Sequence, residues 1–152
     1  MTVILAFMLF PFAFIAIWVG VMWLLSRISG WHKLAKYYLY RGEIRGVSRS
    51  FQGAMLGYSR WRLVRYRGCL TVTVDSGMLI LKPWFIFGAF HPPLGIPLEE
   101  LMRADRTFLF WTFCELRAVR ELRIMILVSQ RLARWIESQA GSPIRSAQVS
   151  AF

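Results

Sequence analysis

From Thr2 to Leu25 no side chain carries a charge, and this run decides most of what the chain can become. Val3 to Leu25 is 23 residues. As a helix rising about 1.5 Å per residue it covers about 34 Å, enough to cross the hydrocarbon core of a bilayer with slight tilt. Pro11 lies in its first half, where an embedded helix tolerates a local kink. Trp18 and Trp23, then Trp31, Tyr37, Tyr38 and Tyr40, supply interfacial aromatics toward its C-terminal end. A cleavable signal peptide would need basic residues ahead of a shorter apolar core. Here Arg27, Lys33, Lys36, Arg41 and Arg45 all follow it, opposed only by Glu43. The expectation is an uncleaved single-span anchor over 1–26, with the N-terminus outside and the body in the cytoplasm.

Composition supports a membrane setting. Apolar residues make up 57% of the 152, mean hydropathy is +0.46 and formal charge is +11. Those values exclude a disordered chain, and two cysteines exclude a disulfide scaffold. The basic excess is local: Arg27 to Arg67 holds ten Lys/Arg against one acid, Gly68 to Phe152 nine against seven. Charge of this sign beside an apolar run points to anionic lipid first and nucleic acid second.

After Ser29, the spacing of Trp31, Leu34, Ala35 and Tyr38, with Lys33 and Lys36 opposite, predicts a short amphipathic helix along the headgroups. With the Gly42 and Gly46 breaks it makes 27–46 a juxtamembrane segment. The period then becomes two. Leu70, Val72 and Val74 alternate with Cys69, Thr71 and Thr73; Asp75-Ser76-Gly77 turns, and Met78 to Lys82 returns. Further strands are expected at Phe51 to Tyr58, Trp84 to Phe90, Arg103 to Phe110, Trp111 to Ala118 and Glu121 to Val128. Met78 to Leu98 is apolar enough to suggest a second span, but Lys82 and four prolines break it. Ser129 caps a final helix with Leu132, Ala133, Ile136 and Ala140 on one stripe, ended by Gly141 and Pro143. The domain is therefore expected over 47–141, with a loose tail over 142–152. This is an α+β body, an antiparallel sheet or partial barrel with a C-terminal helix.

Two stretches carry a resemblance. One is Tyr66-Arg67-Gly68-Cys69-Leu70-Thr71-Val72; the other is Phe87-Gly88, His91-Pro92-Pro93-Leu94 and Ile96-Pro97. With Gly30-Trp31-His32-Lys33-Leu34-Ala35 they resemble small bacterial membrane-anchored proteins with a pleckstrin-homology-like domain. The resemblance implies a strand running into a His-Pro-Pro loop, and an Ile-Pro step opening the next strand. It implies the bacterial inner membrane, and binding of peptides, lipids or other subunits rather than catalysis.

Chemical motifs are sparse. His32 and His91 are far apart, and Cys69 and Cys114 form no C-x-x-C, so neither a metal site nor a cofactor is expected. Both cysteines read as reduced strand residues packing as small hydrophobes. His91, beside Pro92-Pro93, reads as fixing its loop by a ring-to-backbone hydrogen bond, not as a base. Glu99-Glu100, on a strand, would be solvated or paired with Arg103. Gly53 and Gly57 have G-x-x-x-G spacing but lie outside the span.

One basic, aromatic stretch remains: Arg60, Trp61, Arg62, Arg65 and Arg67. Such a set can stack single-stranded nucleic acid, grip anionic lipid, pair with an acidic protein partner, or be a solvated loop. A tethered body favours lipid or a membrane partner, with Lys33 and Lys36 as further contributors. Aromatics at 84–90 and 108–113 exceed what one small sheet buries. The expected function is therefore a non-catalytic accessory subunit docked on a larger membrane complex. A self-assembling or anionic-lipid-binding module is the alternative, and a membrane-surface enzyme the third reading. Expected partners are the lipid bilayer and other membrane protein subunits, or further copies in a homo-oligomer, and no nucleic acid.

Overall fold

A computed structural model describes residues 2–147, apart from the side chains of Thr2 and Phe108. Residues 148–152 of the expected tail lie outside the described residues. Helix α1 (Thr2–Ser29) runs unbroken through Pro11. It is long and apolar enough to cross a bilayer, and its apolar window has no residue buried against the body. It packs toward its C-terminal end, through the Trp18 ring on Phe87 and through buried Met22, Ser26 and Ser29. Gly30 then takes φ +78°, and a Cβ there would meet the Ile124 side chain at 2.6 Å. That residue turns the chain sharply into α2 (Trp31–Tyr38), whose Trp31 N–H donates to Ser29 Oγ at 3.3 Å.

Eight strands form one sheet in the order β4-β3-β2-β1-β7-β6-β5-β8. They are β1 (Val47–Ser59), β2 (Arg62–Asp75), β3 (Met78–Pro83), β4 (Leu94–Pro97), β5 (Leu101–Phe108), β6 (Trp111–Ala118), β7 (Glu121–Ser129) and β8 (Arg145–Ser146). All neighbours are antiparallel except β8, which lies parallel to β5. The expected turn at Asp75-Ser76-Gly77 sets the β2–β3 register, with Val74 opposite Leu79. Gly57 has φ compatible with any residue, yet a Cβ there would lie 1.9 Å from the Arg62 carbonyl oxygen. It is a glycine because β1 and β2 come together tightly at their turn. Helix α3 (Gln130–Ala140) is capped by Ser129 Oγ, which accepts from Leu132 N–H at 3.2 Å, and ends at Gly141 in the left-handed conformation.

One core joins both helices to the sheet: Trp31, Leu34 and Tyr38 from α2, Leu56 and Ile126 from the sheet, Leu132 and Ile136 from α3. The structure differs from the sequence reading in four places. First, the apolar face of α2 is covered by the sheet, not by headgroups, so part of 27–46 is built into the body. Second, Trp84 to Phe90 is no strand; a 3-10 turn at Phe85–Phe87 replaces it. The partner edge of β3 is occupied instead by β4, inside the proline-rich stretch. Third, β2 begins at Arg62, so Arg62, Arg65 and Arg67 lie on a strand. Fourth, the tail is anchored at its start: Ile144 is buried and Arg145–Ser146 pairs with β5. Cys69 and Cys114 lie unpaired on β2 and β6, and burial pushes the Cys114 thiol up to about 11.

Candidate functional site

Three elements meet where α1 ends: α2, the middle of β2, and the loop from Trp84 to Pro93. The Tyr66 hydroxyl sits between Ser29 Oγ and His91 Nε2, 3.0 Å from each. His91 Nδ1 faces the Ala89 carbonyl oxygen at 3.1 Å, the ring-to-backbone contact its place beside Pro92-Pro93 suggests. Trp31 Nε1–H donates to the Pro92 carbonyl oxygen at 2.9 Å, and its ring packs 5.5 Å from Tyr66 and 5.4 Å from His91, centroid to centroid. Ser26 Oγ–H donates to the Phe90 carbonyl oxygen at 2.7 Å. Buried polar groups are stable only when partnered. Here each partnership ties the apolar helix to the body, so the last turn of α1 and the His-Pro-Pro loop form a clamp.

The chemistry of this cluster is that of a structural lock. Burial pushes the Tyr66 hydroxyl up to about 12, the reverse of an activated nucleophile. Burial also lowers the His91 pKa from its ordinary 6.5, against the Ala89 hydrogen bond that raises it. The unfolded chain therefore takes up the proton first as pH falls. Stability is complete above about pH 6.5 and declines as pH drops toward the folded value. Thermal unfolding of the full chain in detergent between pH 8 and pH 5 should show this fall, and His91→Gln should flatten it. An equal fall in both would assign the titration to another group.

A cleft of about 250 Å³ opens beside the clamp, between α1 and β2. Met22, Leu25 and Phe87 give it an apolar wall, and Arg65 and Arg67 line it from β2. On the outer face of the sheet is a larger groove of about 400 Å³. Met55, Leu63, Phe113 and Leu127 form its apolar surface, with Arg60, Arg65 and Arg106 beside them. Glu115, with its side chain 5% exposed, also lines this groove and pairs with Arg106 at 3.1 Å and with Arg117.

The structure thus divides the basic stretch. Arg65 and Arg67 reach the cleft, Arg60 and Arg65 the outer groove, and Arg62 lines neither. Trp61 stands 93% exposed on the β1–β2 turn. Lys33 and Lys36 are not brought to either site; their ammonium groups lie 5.1 Å from the Tyr58 ring centroid and 5.8 Å from that of Tyr37. Among the described residues, the ion pairs include none of Arg60, Arg62, Arg65 and Arg67. Glu99 and Glu100 lie in a 3-10 turn, not on a strand. Glu100 pairs with Arg120 at 3.0 Å and accepts from the Tyr38 hydroxyl at 2.8 Å, which together hold its carboxyl below the usual range. Arg103 pairs instead with Asp105 and Glu137. The expectation had missed the cleft, because the signal for it is the juxtaposition of Met22 with Phe87, 65 residues apart. Among the described residues no three His, Cys, Asp or Glu side chains cluster as a metal site would require. In comparison with known proteins, the chain matches no protein family, no curated protein and no solved structure.

Proposed function

We propose that this chain is a non-catalytic, single-span membrane protein with its N-terminus outside and its body in the cytoplasm. Its role is that of an accessory subunit, docking on a larger membrane protein. The observation that carries this reading is the clamp. It couples a helix bare of body contacts over most of its length to a sheet with an open, arginine-bearing groove. A tether alone needs no such lock, since a flexible linker would serve. A locked junction holds the groove at one height and angle to the bilayer, which a fixed docking partner requires. The strand order β4-β3-β2-β1-β7-β6-β5 with a helix at its C-terminal end supports a pleckstrin-homology-like body.

Purification of the full chain in mild detergent, followed by mass spectrometry, tests the reading. A stoichiometric larger membrane protein is expected, lost on substitution of Leu63 and Phe113 by Asp. Recovery of the chain alone or as a homo-oligomer carrying only lipid would overturn it. The second reading, an anionic-lipid module, rests on the cleft: two strand arginines, without acidic partners among the described residues, line it beside an apolar wall that includes the anchor helix itself.

A further inference from the structure

We infer that the loop from Pro83 to Phe90 is a second membrane-inserted element, which enters the bilayer beside α1 and sets the tilt of the body. The inference rests on the reading that α1 crosses the membrane. The Phe87 ring packs 5.7 Å from that of Trp18, centroid to centroid. Trp18 precedes Arg27, the first charged side chain of the run, by nine residues, about 13 Å along a helix axis. With α1 in the bilayer, a side chain resting on Trp18 is carried below the headgroups.

The loop is made for that position. From Pro83 to Phe90 it bears no charge. Phe85 is 87% exposed, and Trp84, Ile86, Phe90 and nearby Phe51 are also exposed. Phe51 packs edge-on to Trp84 at 4.9 Å. Phe51 and Phe90 both hold φ near +60°, a conformation that bulky side chains rarely adopt. Phe51 takes this conformation within the register shifts of β1, which turn its side chain out of the regular ladder and onto Trp84.

Backbone in an apolar medium must find partners within the protein. Here Trp84 N–H donates to the Cys69 carbonyl oxygen at 2.8 Å, Phe87 N–H to Trp84 at 2.8 Å and Gly88 N–H to Phe85 at 3.1 Å. The Phe90 carbonyl accepts from Ser26 Oγ. Basic side chains border the patch: Lys82 lines a shallow hollow with Trp84 and Phe85, and Arg67 lines the cleft with Phe87. An apolar tip bordered by cations is the arrangement that suits acyl chains below and phosphates above.

Spin labels at single introduced cysteines test this in the full chain reconstituted into phosphatidylglycerol/phosphatidylcholine vesicles. Signal from the unmutated chain, which carries Cys69 and buried Cys114, is subtracted. Val19→Cys reports the span, Phe85→Cys the loop, and Ser76→Cys the exposed turn at the other end of β3, about 20 Å away along the strand. Position 85 should lose collisions with a water-soluble nickel reagent and gain them with oxygen, as position 19 does, while position 76 shows the opposite order. If position 19 is lipid-like and position 85 behaves like 76, the loop inference is wrong and the span stands. If position 19 is itself water-exposed, both are wrong.

Discussion

Replacing Trp31 by Ala should destabilise the body by about 3–5 kcal/mol, as deletion of a large buried aromatic does. The ring is fully buried, packs on Tyr66 and His91, and fills the junction between α2, β2 and the His-Pro-Pro loop. Its loss also strands the Pro92 carbonyl, the acceptor of Nε1–H. A domain of ordinary stability has about 5–15 kcal/mol in total, so this one change removes a large share. Trp31→Phe keeps most of the apolar volume and loses only the donor; a cost of about 1–2 kcal/mol is expected. Denaturant unfolding of the full chain in detergent gives both values. Hydrogen exchange should locate the loss in β2 and the 84–93 loop, leaving α1 upstream of Met22 unchanged. A Trp31→Ala midpoint within the range of a surface substitution would mean the junction is not packed as described.

Much of the architecture was legible because it depends on local chemistry. The uncharged run forms one helix, Asp75-Ser76-Gly77 turns a hairpin, and Ser129 and Gly141 bound the last helix where a cap donor-acceptor pair and a left-handed residue place them. What escaped depended on tertiary neighbours. Arg62, Arg65 and Arg67 read as a basic loop because the three do not share one strand face; the alternation of Arg65 and Arg67 with Val64 and Tyr66 becomes meaningful only when α1 covers Tyr66. Trp84 to Phe90 has strand composition, and Trp84 N–H still continues the β2–β3 pairing to Cys69, but Phe87 N–H and Gly88 N–H then bond back to the Trp84 and Phe85 carbonyls, so the chain coils into a 3-10 turn. Four-residue β4 is too short, and too rich in Gly and Pro, to show a period.

The candidate site was legible in its residue types and not in its grouping. Charge and aromatic content selected Arg60 to Arg67, and spacing alone could not say which of them share a surface. Strand alternation would place Arg65 and Arg67 on one face once β2 is known to start at Arg62. Their meeting with Met22, Leu25 and Phe87 is set by the clamp, whose members come from three separate stretches of chain, 26–31, Tyr66 and 89–92. Glu115 shows the same limit: nothing in its local sequence marks it, and it is a buried carboxylate between two arginines.

Converting Arg65 and Arg67 together to Gln should weaken selection of anionic over zwitterionic lipid by about 30-fold. Each basic side chain close to an anionic surface contributes about 1 kcal/mol, and about 2 kcal/mol converts to a factor near 30. Among the described residues neither arginine is offset by an acid within ion-pair distance, so little of that attraction is already satisfied there. Brominated phosphatidylglycerol and phosphatidylcholine, titrated into the detergent-solubilised full chain, quench indoles close to where they bind. Trp18, in contact with Phe87, and Trp31, in contact with His91, are the natural reporters of the cleft. Arg60→Gln with Arg62→Gln removes the same charge from positions outside the cleft, so it controls for the general field of the body. The preference should collapse in the first pair, survive in the second, and weaken in both with rising salt. An equal loss in the two pairs would mean that lipid senses a diffuse basic surface and that the cleft holds no headgroup.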